Sequence, residues 1–348
     1  MIKKIFMTLI VALAALSAGA ATERTTYTYA VKGNDTLKID MYIDRSVEYK
    51  GKRPVMMYIH GGGYCGGHRK NAAQDVFCKH FAEMGWVAAS IDYRLALPQQ
   101  QTKTDEHLWD STNPNAVNKY GVKTLYDVVK IACIDAIDAT NFIIGKADEY
   151  GLDPQTIVIG GGSAGATTCL TLEYDVCNNE EYTKKLPEGF NYAGIISQAG
   201  AVDIRDRAEL KLERKPCPVL FFHGYNDVAV PFKTREIAGE KWVGTLDLLP
   251  IWKKMGASYW AYIIPEADHI MAMCTLTDNN YETDRFVNEI VLGKQETYAF
   301  TTWEPADVPC MSSVEMMIKY APLYILGYEK YVEEIDWGNM EKPQDVVY

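Results

Sequence analysis

Positive charge, histidine and long apolar runs are all scarce in this sequence. Its 348 residues include 35 lysines and arginines against 46 aspartates and glutamates, which gives a formal net charge of −11. This deficit argues against nucleic acid as a partner, because proteins bind that polyanion through clusters of positive charge. Apolar residues still make up 48% of the chain, enough to bury a sizeable core in a globular protein.

One apolar run is long, and it lies at the N-terminus. It follows Lys3 and Lys4, covers residues 5–16 and is followed by Ala18-Gly19-Ala20, an order that is typical of a signal peptide. No later run reaches the length that a membrane-spanning helix needs. We therefore expect residues 1–20 to be cleaved and the remaining chain to be exported to the periplasm or secreted, with no stable membrane span.

Cysteine motifs that bind metals are also missing. The chain has eight cysteines, but none forms a C-x-x-C pair or joins a histidine at zinc-finger spacing. The sequence therefore predicts no metal site. An oxidising compartment permits disulfides, yet several cysteines lie in apolar runs, which favours plain burial for most of them.

Short apolar runs alternate with helical segments over most of the chain. A β-hairpin is predicted over residues 25–44 and a helix over residues 122–150. The alternation predicts an α/β fold with a doubly wound, mostly parallel sheet and helices on both faces. No repeat or linker divides the sequence, so we expect a single domain over residues 21–348. Its buried parallel strands are predicted at residues 55–59, 86–91, 156–159, 193–197, 219–222 and 259–264.

Two segments fall outside this alternation. Residues 97–121 are polar and follow a predicted strand, so we expect a loop insertion of the kind that borders a binding site. From about residue 296 the chain is again rich in aromatic and apolar residues. Here we expect a helical extension, with a helix near residues 314–334 that packs on the domain.

The segment 156–165 places a serine between glycines directly after a strand. Its last five residues read GGSAG, with Ser163 at the centre of a G-x-S-x-G pattern. A serine on a sharp strand-to-helix turn needs neighbours without bulky side chains, and such a turn presents the hydroxyl as a nucleophile. The N–H of Ala164, at the start of the following helix, can face a developing oxyanion. The pattern alone leaves open a glycine-rich turn with an incidental serine.

A second glycine-rich segment follows an earlier strand. Residues 60–63 read HGGG, and the N–H groups of Gly62 and Gly63 can approach a charged carbonyl oxygen closely because no Cβ intervenes. His60 is then a scaffold residue rather than the base. His223, at the end of a later strand, is interpreted in the same way. A phosphate-binding loop is the alternative, but no Lys-Ser/Thr pair follows, as a P-loop requires.

These segments together resemble the carboxylesterase and hormone-sensitive-lipase-like branch of the α/β hydrolases. The resemblance implies the α/β-hydrolase fold and a serine hydrolase that needs no metal or cofactor. The short hairpin before the HGGG loop also resembles small exported esterases that act on plant cell-wall esters. The matching stretches are HGGG at 60–63, DYRLA at 92–96, YGLDP at 150–154 and GGSAG at 161–165.

In this family the nucleophile is followed along the chain by an acid and then by a histidine. The resemblance places the acid at Asp227 and the base at His269, each in a loop after a predicted strand. His269 would then take the Ser163 proton through one ring nitrogen while Asp227 holds the other nitrogen. Asp203 and Asp268 are the alternative carboxylates.

The sequence therefore predicts a serine carboxylic-ester hydrolase that acts through an acyl-enzyme on a small-molecule or carbohydrate ester. Acetyl or feruloyl esters of plant polysaccharide are the substrates that the resemblance suggests. Tyr64, His107 and Trp109 are candidate pocket residues, because they lie beside the oxyanion loop or in the polar insertion. The alternatives are a serine peptidase of the same fold and a catalytically inactive binding protein. The oligomeric state does not follow from the sequence.

Overall fold

The computed structural model describes residues 22–97, 123–205, 207–237 and 239–303. Several predictions concern residues outside these ranges: the signal peptide, positions 98–121 of the polar insertion and the helix near residues 314–334. His107 and Trp109, two of the candidate pocket residues, also lie outside the described residues.

The described chain alternates strands and helices after an N-terminal hairpin. The strands are β1 (Glu23–Lys32), β2 (Asp35–Ile43), β3 (Arg53–Ile59), β4 (Val87–Ile91), β5 (Leu152–Gly162), β6 (Gly194–Gln198), β7 (Ala201–Asp203), β8 (Val219–Gly224), β9 (Arg235–Ile237), β10 (Glu240–Gly244), β11 (Tyr259–Ile264) and β12 (Tyr298–Thr302). The α-helices are α1 (Ala72–Glu83), α2 (Leu125–Gly145), α3 (Ala147–Tyr150), α4 (Ala164–Cys177), α5 (Thr245–Lys254), α6 (Thr275–Asp278) and α7 (Asn280–Arg285). There are also 3-10 turns at Glu181–Lys185 and His269–Ala272 and a π-helical turn at Phe286–Leu292.

Nine strands form one sheet in the order β1-β2-β4-β3-β5-β6-β8-β11-β12. The hairpin β1-β2 is antiparallel and β2 pairs antiparallel with β4, whereas every pair from β4 to β12 in that order is parallel. A smaller antiparallel sheet has the order β7-β10-β9. The predicted mostly parallel α/β sheet is therefore confirmed.

Helices cover both faces of the large sheet. In β3, Val55, Met57 and Ile59 belong to a core that includes residues of α2 and α4. Met56 and Tyr58 belong to a second core, which includes residues of α1 and of the π-helical turn. The strand reads as a continuous apolar run because each of its faces is buried against helices.

The helix predicted over residues 122–150 is shorter and interrupted. Thr124 and Asp127 form a capping box that starts α2. At Lys146 the backbone N–H turns back to Ile143 O, which ends α2, and α3 then stops at Gly151, whose φ is 66°. In the part of the chain that the structure describes, no helix combines the length and apolar character needed to cross a membrane.

The helical extension predicted from about residue 296 is wrong at its start, where residues 298–302 form β12. This strand pairs parallel with β11 at the edge of the sheet. Its sequence, YAFTT, is rich in aromatic and β-branched residues, which favour an extended chain. Trp260 of β11 also donates its indole N–H to Thr301 Oγ1 at 3.0 Å. Pairing with β11 therefore stabilises an extended chain here in place of the expected helix. Residues from 304 onward lie outside the described part of the chain.

Most of the cysteines serve as apolar core residues. Within the described ranges, Cys78, Cys133, Cys169, Cys177 and Cys217 are buried and form no disulfide. Burial raises the pKa of each thiol, so all five remain protonated and pack as small apolar groups. This agrees with the expectation of plain burial.

Candidate active site

Loops at the carboxyl edge of the sheet carry the residues predicted to act on an ester. The HGGG segment follows β3, Ser163 follows β5, Asp227 follows β8 and His269 follows β11. Because these strands run parallel, their carboxyl ends meet at one edge of the sheet, where open α/β sheets bind their ligands. The topology therefore brings four distant segments to one place.

Ser163 occupies a strained turn between β5 and α4. Its φ of 54° and ψ of −118° lie outside the regions that residues with a side chain normally adopt, at a cost of about 1–3 kcal/mol. The turn is held in part by the Ser163 N–H, which donates to Gln198 O at 2.8 Å. A Cβ on Gly165 would lie 2.0 Å from Ile59 O, so α4 approaches β3 this closely because residue 165 is glycine.

Ser163, His269 and Asp227 form a hydrogen-bonded relay. His269 Nε2 lies 2.8 Å from Ser163 Oγ, and His269 Nδ1 lies 2.7 Å from Asp227 Oδ2. An ionised carboxylate can only accept, so the proton between His269 and Asp227 resides on Nδ1. Nε2 is then able to take the serine proton, which is the arrangement of a nucleophile, a general base and an orienting acid.

The carboxyl group of Asp227 is buried and remains ionised. Its Oδ1 accepts the N–H groups of Ala229 and Val230, both at 2.9 Å, while Oδ2 faces the rings of His269 and His223. Burial by itself raises the pKa of Asp227, but the contacts with the two histidines outweigh it and hold the pKa well below its usual range. The charge is therefore available to stabilise an imidazolium on His269.

The alternative carboxylates have other partners. Asp203 ends β7 and accepts the N–H of Arg205 at 2.8 Å. Asp268 accepts a backbone N–H at 3.0 Å and so caps the 3-10 turn that begins at His269. Asp227 is the carboxylate whose Oδ2 lies 2.7 Å from Nδ1 of His269.

The HGGG loop lies directly against the turn that carries the nucleophile. Gly62 and Gly63 have φ values of 116° and 59°, in the region that favours glycine. A Cβ on Gly61 would lie 3.3 Å from Ser163 Cβ, so the two backbones are in close contact. Ala164 is the first residue of α4, where N–H groups lack an intrahelical acceptor and the helix dipole favours an anion. The predicted oxyanion donors therefore lie on the two segments around Ser163.

His60 is a buried support of this loop. Its ring stacks on Tyr93 at a centroid distance of 4.4 Å, and its Nδ1 donates to Gly61 O at 2.7 Å. Burial lowers the pKa of His60 to about 4, so the ring is neutral near pH 7. A neutral ring with these contacts acts as scaffold.

Tyr64, a candidate for the substrate pocket or for the core by its sequence position, lies in the core. Its φ is 60°, and only 4% of the residue is exposed. The hydroxyl donates to Ala164 O at 2.9 Å and lies 3.2 Å from Thr168 Oγ1. The left-handed backbone thus directs the side chain to the first turn of α4, which Tyr64 holds in place.

His223 contacts the acid of the relay, which its sequence position at the end of a strand does not reveal. The structure brings His223 Nε2 to 3.3 Å from Asp227 Oδ2. The signal in the sequence is the short spacing, since a histidine at the end of β8 lies four positions before the acid in the loop that follows. Spacing alone does not show which way the ring points.

A second cluster of buried charges joins α4 to the segment that follows β7. Asp175 accepts the hydroxyls of Tyr126 and Tyr182, and the guanidinium of Arg205 lies 3.3 Å from it. Burial raises the pKa of Asp175 to about 6. Within the described ranges, no group of three or more histidine, cysteine or acidic side chains is arranged to hold a metal ion. The contacts of this cluster are those of a structural network.

Sequence comparison finds similarity to esterases. The BD-FAE family model matches residues 39–107. The chain is 25% identical over 154 residues to gut esterase 1 of Caenorhabditis elegans, which covers 44% of this chain and 24% of that protein. It is 28% identical over 127 residues to the probable carboxylic ester hydrolase LipM of Mycobacterium tuberculosis, which covers 36% of this chain and 23% of that protein. The matched segments thus span about a quarter of the length of these curated relatives.

Structural comparison finds the fold of a solved esterase. The butyrate-bound structure of an esterase from Thermogutta terrifontis, Est2, matches with a TM-score of 0.54 at 21% sequence identity. The match covers 77% of this chain and 94% of that chain. At this identity the likeness establishes the fold alone, and it confirms the predicted α/β-hydrolase architecture.

Proposed function

We propose that this protein is a serine carboxylic-ester hydrolase that acts through an acyl-enzyme. The observation that carries the proposal is the relay from Ser163 Oγ through His269 to Asp227, with contacts of 2.8 and 2.7 Å. The strained turn at Ser163 and the glycine loop against it add a nucleophile position and backbone donors. A binding protein without catalysis would have no use for a strained serine in a connected relay.

The first half-reaction forms the acyl-enzyme. Ser163 Oγ adds to the ester carbonyl carbon while His269 Nε2 takes the hydroxyl proton, and Asp227 stabilises the imidazolium. The tetrahedral intermediate then collapses, and its carbon–oxygen bond to the alcohol breaks. His269 gives the proton to the leaving oxygen, so a neutral alcohol departs and the acyl group stays on the serine.

The second half-reaction uses water. His269 takes a proton from a water molecule, whose oxygen adds to the acyl carbonyl carbon, and collapse of this intermediate frees the acid and returns the proton to Ser163. In both halves the carbonyl oxygen becomes negative and is bound by the N–H groups of Gly62, Gly63 and Ala164.

Acetyl or feruloyl esters of plant polysaccharide are the substrates that we propose. The short hairpin before the HGGG loop, which resembles that of small exported esterases acting on plant cell-wall esters, supports this class. The signal-peptide pattern of residues 1–20 supports export, which would bring the protein to a substrate outside the cell.

Hydrolysis of p-nitrophenyl acetate and butyrate by the purified protein, beside the Ser163→Ala variant, tests the proposed reaction. The wild type should turn over both esters, and the variant should be slower by about a thousandfold or more because the nucleophile is lost. Equal rates for the two proteins would contradict the proposal. Methyl ferulate and a dipeptide amide extend the panel: cleavage of methyl ferulate supports the feruloyl substrate, and cleavage of the amide without ester cleavage points to a peptidase.

Export has its own test. The full-length chain with a C-terminal tag should be recovered from the periplasm or the medium with its N-terminus cleaved near Ala20. Recovery from the cytoplasm with an intact N-terminus would contradict export and would leave the proposed reaction unaffected.

A further inference from the structure

A second imidazole contacts the carboxylate of the proposed triad. His223 lies in β8 next to its last residue, and its side chain is fully buried. Its Nε2 is 3.3 Å from Asp227 Oδ2 and 3.2 Å from Val230 O. The same Oδ2 is 2.7 Å from Nδ1 of His269. Asp227 Oδ2 therefore faces two imidazole rings: that of His269, which also contacts Ser163, and that of His223, which does not belong to the proposed triad.

The surroundings of His223 show which ring nitrogen carries a proton. Both neighbours of Nε2, the carboxylate of Asp227 and the carbonyl of Val230, can only accept a hydrogen bond. Nε2 therefore carries a proton and donates to Val230 O at 3.2 Å, while Asp227 Oδ2 lies 3.3 Å away in ion-pair contact. Nδ1 lies 2.8 Å from Thr245 Oγ1, a hydroxyl that can donate to a neutral ring or accept from a charged one. Nε2 thus carries a proton in either charge state of His223.

We propose that His223 is a positioning residue of the active site, which holds Asp227 Oδ2 in the orientation that His269 requires. The inference rests on the proposed serine hydrolase function. With His223 in place, Oδ1 accepts two backbone N–H groups and Oδ2 lies against two imidazole nitrogens, so the carboxylate cannot rotate without losing these contacts. Residues that hold the reacting side chains in place can have large effects on the reaction rate, because they fix the geometry of those side chains before the reaction begins.

The His223 ring is itself held from several sides. Phe232 packs edge-on against it at a centroid distance of 5.5 Å, and Thr245 binds Nδ1 from the start of α5. A Cβ on Gly224, the next residue, would lie 2.2 Å from Asp268 O, so the acid loop packs tightly on the base loop. Because these contacts fix the His223 ring, the ring in turn restricts the orientation of the Asp227 carboxylate.

Two other charged side chains of the acid and base loops have backbone partners. Asp268 is occupied by a backbone N–H of the base loop. Arg235, on the outside of the acid loop, donates to the carbonyls of Val228 and Ala229. In the described residues, the ionisable side chains in contact with Asp227 are the imidazoles of His223 and His269. A change at His223 should therefore be felt mainly by the pair formed by Asp227 and His269.

Two amide replacements separate positioning from packing. In His223→Gln the side-chain amide nitrogen can occupy the region of Nε2 and still donate to Asp227. In His223→Asn the shorter side chain reaches the region of Nδ1 near Thr245 and leaves Asp227 Oδ2 with one donor. The unshared charge of that oxygen then acts more strongly on His269, favours its protonated form and lets the carboxylate turn.

The experiment is the pH profile of kcat/KM for p-nitrophenyl acetate, measured on the full protein and on both variants, with thermal unfolding beside it. We expect His223→Asn to lower kcat by about tenfold or more, to change KM little and to move the acidic limb of the profile to higher pH. His223→Gln should keep the wild-type limb. If both folded variants keep the wild-type limb and kcat, His223 only packs and the inference is overturned.

The controls keep the possible failures apart. If His223→Asn does not fold, His223→Gln decides alone, and a loss of kcat of more than about tenfold in a folded Gln variant overturns the inference, since its donor is retained. Ser163→Ala is assayed in parallel. Activity that survives in Ser163→Ala refutes the proposed function, whereas an inactive Ser163→Ala beside unaffected His223 variants refutes the positioning role alone.

Discussion

Single buried side chains hold the backbone around Ser163. Tyr64 donates to Ala164 O, and His60 donates to Gly61 O. Gly61 O belongs to the peptide group that carries the Gly62 N–H, and Ala164 O belongs to the peptide group after the one that carries the Ala164 N–H. Because such donors must be in place before charge develops, a change in either side chain should alter the rate of the reaction more than its preference among esters.

We expect Tyr64→Phe to lower kcat about fivefold and the free energy of unfolding by about 1 kcal/mol. The ring still fills the core, but Ala164 O loses one of its donors and keeps the hydroxyl of Thr168, which lies at 2.8 Å. Steady-state kinetics with acetate and butyrate esters and denaturant unfolding measure the two effects. The ratio of the acetate rate to the butyrate rate should be the same as in the wild type. A changed ratio would indicate that Tyr64 contacts the acyl group in the substrate pocket.

At the scale of elements, the packing of α4 against β3 positions the nucleophile. The whole of α4, residues Ala164–Cys177, is buried. Its first turn lies so close to the end of β3 that the glycines of the elbow leave no room for a side chain: a Cβ on Gly161 would lie 2.6 Å from Ile59 O. The G-x-S-x-G pattern is therefore a packing requirement as well as a turn signal.

Gly165→Ala should separate α4 from β3. The added Cβ would lie 2.0 Å from Ile59 O and 2.7 Å from its carbonyl carbon, and backbone atoms cannot move aside as a flexible side chain can. We expect the free energy of unfolding to fall by about 3 kcal/mol or more and ester hydrolysis to be lost. Denaturant unfolding and the acetate assay measure both.

Gly145→Ala is the matched control. Gly145 ends α2, a Cβ there would meet no atom within 4 Å, and its φ is not positive. Alanine is the better helix former, so this variant should be neutral or more stable by up to about 1 kcal/mol. If Gly165→Ala were as stable and active as this control, the close packing of the elbow would be refuted.

At the scale of the whole molecule, buried charges tie separate elements together. Asp203 on β7 lies beside Glu240 on β10, and Glu240 Oε2 accepts the N–H of Tyr126 at the start of α2. Burial raises the pKa of Asp203 from 3.8 to about 7, and the charge of Glu240 acts in the same direction. Between these pH values the folded protein keeps a proton that the unfolded chain releases. The contribution of Asp203 to the free energy of unfolding therefore falls as pH rises from about 4 to about 7 and is constant above that.

Asp203→Asn should remove this pH dependence. The amide resembles the protonated carboxyl group, because it can accept the Arg205 N–H and donate to Glu240. We expect the variant to be more stable than the wild type at pH 8 and the difference to shrink towards pH 4.5. Thermal unfolding across this range measures it, with Glu209→Gln as a control that removes a charge from an exposed side chain. A constant difference between Asp203→Asn and wild type across the range would contradict the raised pKa.

Much of the fold could be predicted because it depends on residues close together in the chain. A strand covered on both faces is a continuous apolar run, and β11 occupies the six positions, 259–264, at which such a run lies. The glycines around Ser163 mark the elbow, because a close backbone approach excludes other residues there. The order of nucleophile, acid and histidine came from the resemblance and led to three side chains that the structure brings into contact.

The sequence by itself determined the alternation of strands and helices and the position of the candidate nucleophile, since both are local patterns of apolar residues and glycine. The tertiary structure alone decided three other features: the edge strand β12, the burial of Tyr64 and the second imidazole on Asp227. The strand needs β11 beside it, Tyr64 needs α4 as a partner, and the direction of His223 depends on how the end of β8 packs on Phe232 and α5. Contacts of this kind form between distant segments or depend on side-chain direction, and local patterns in a sequence do not contain that information.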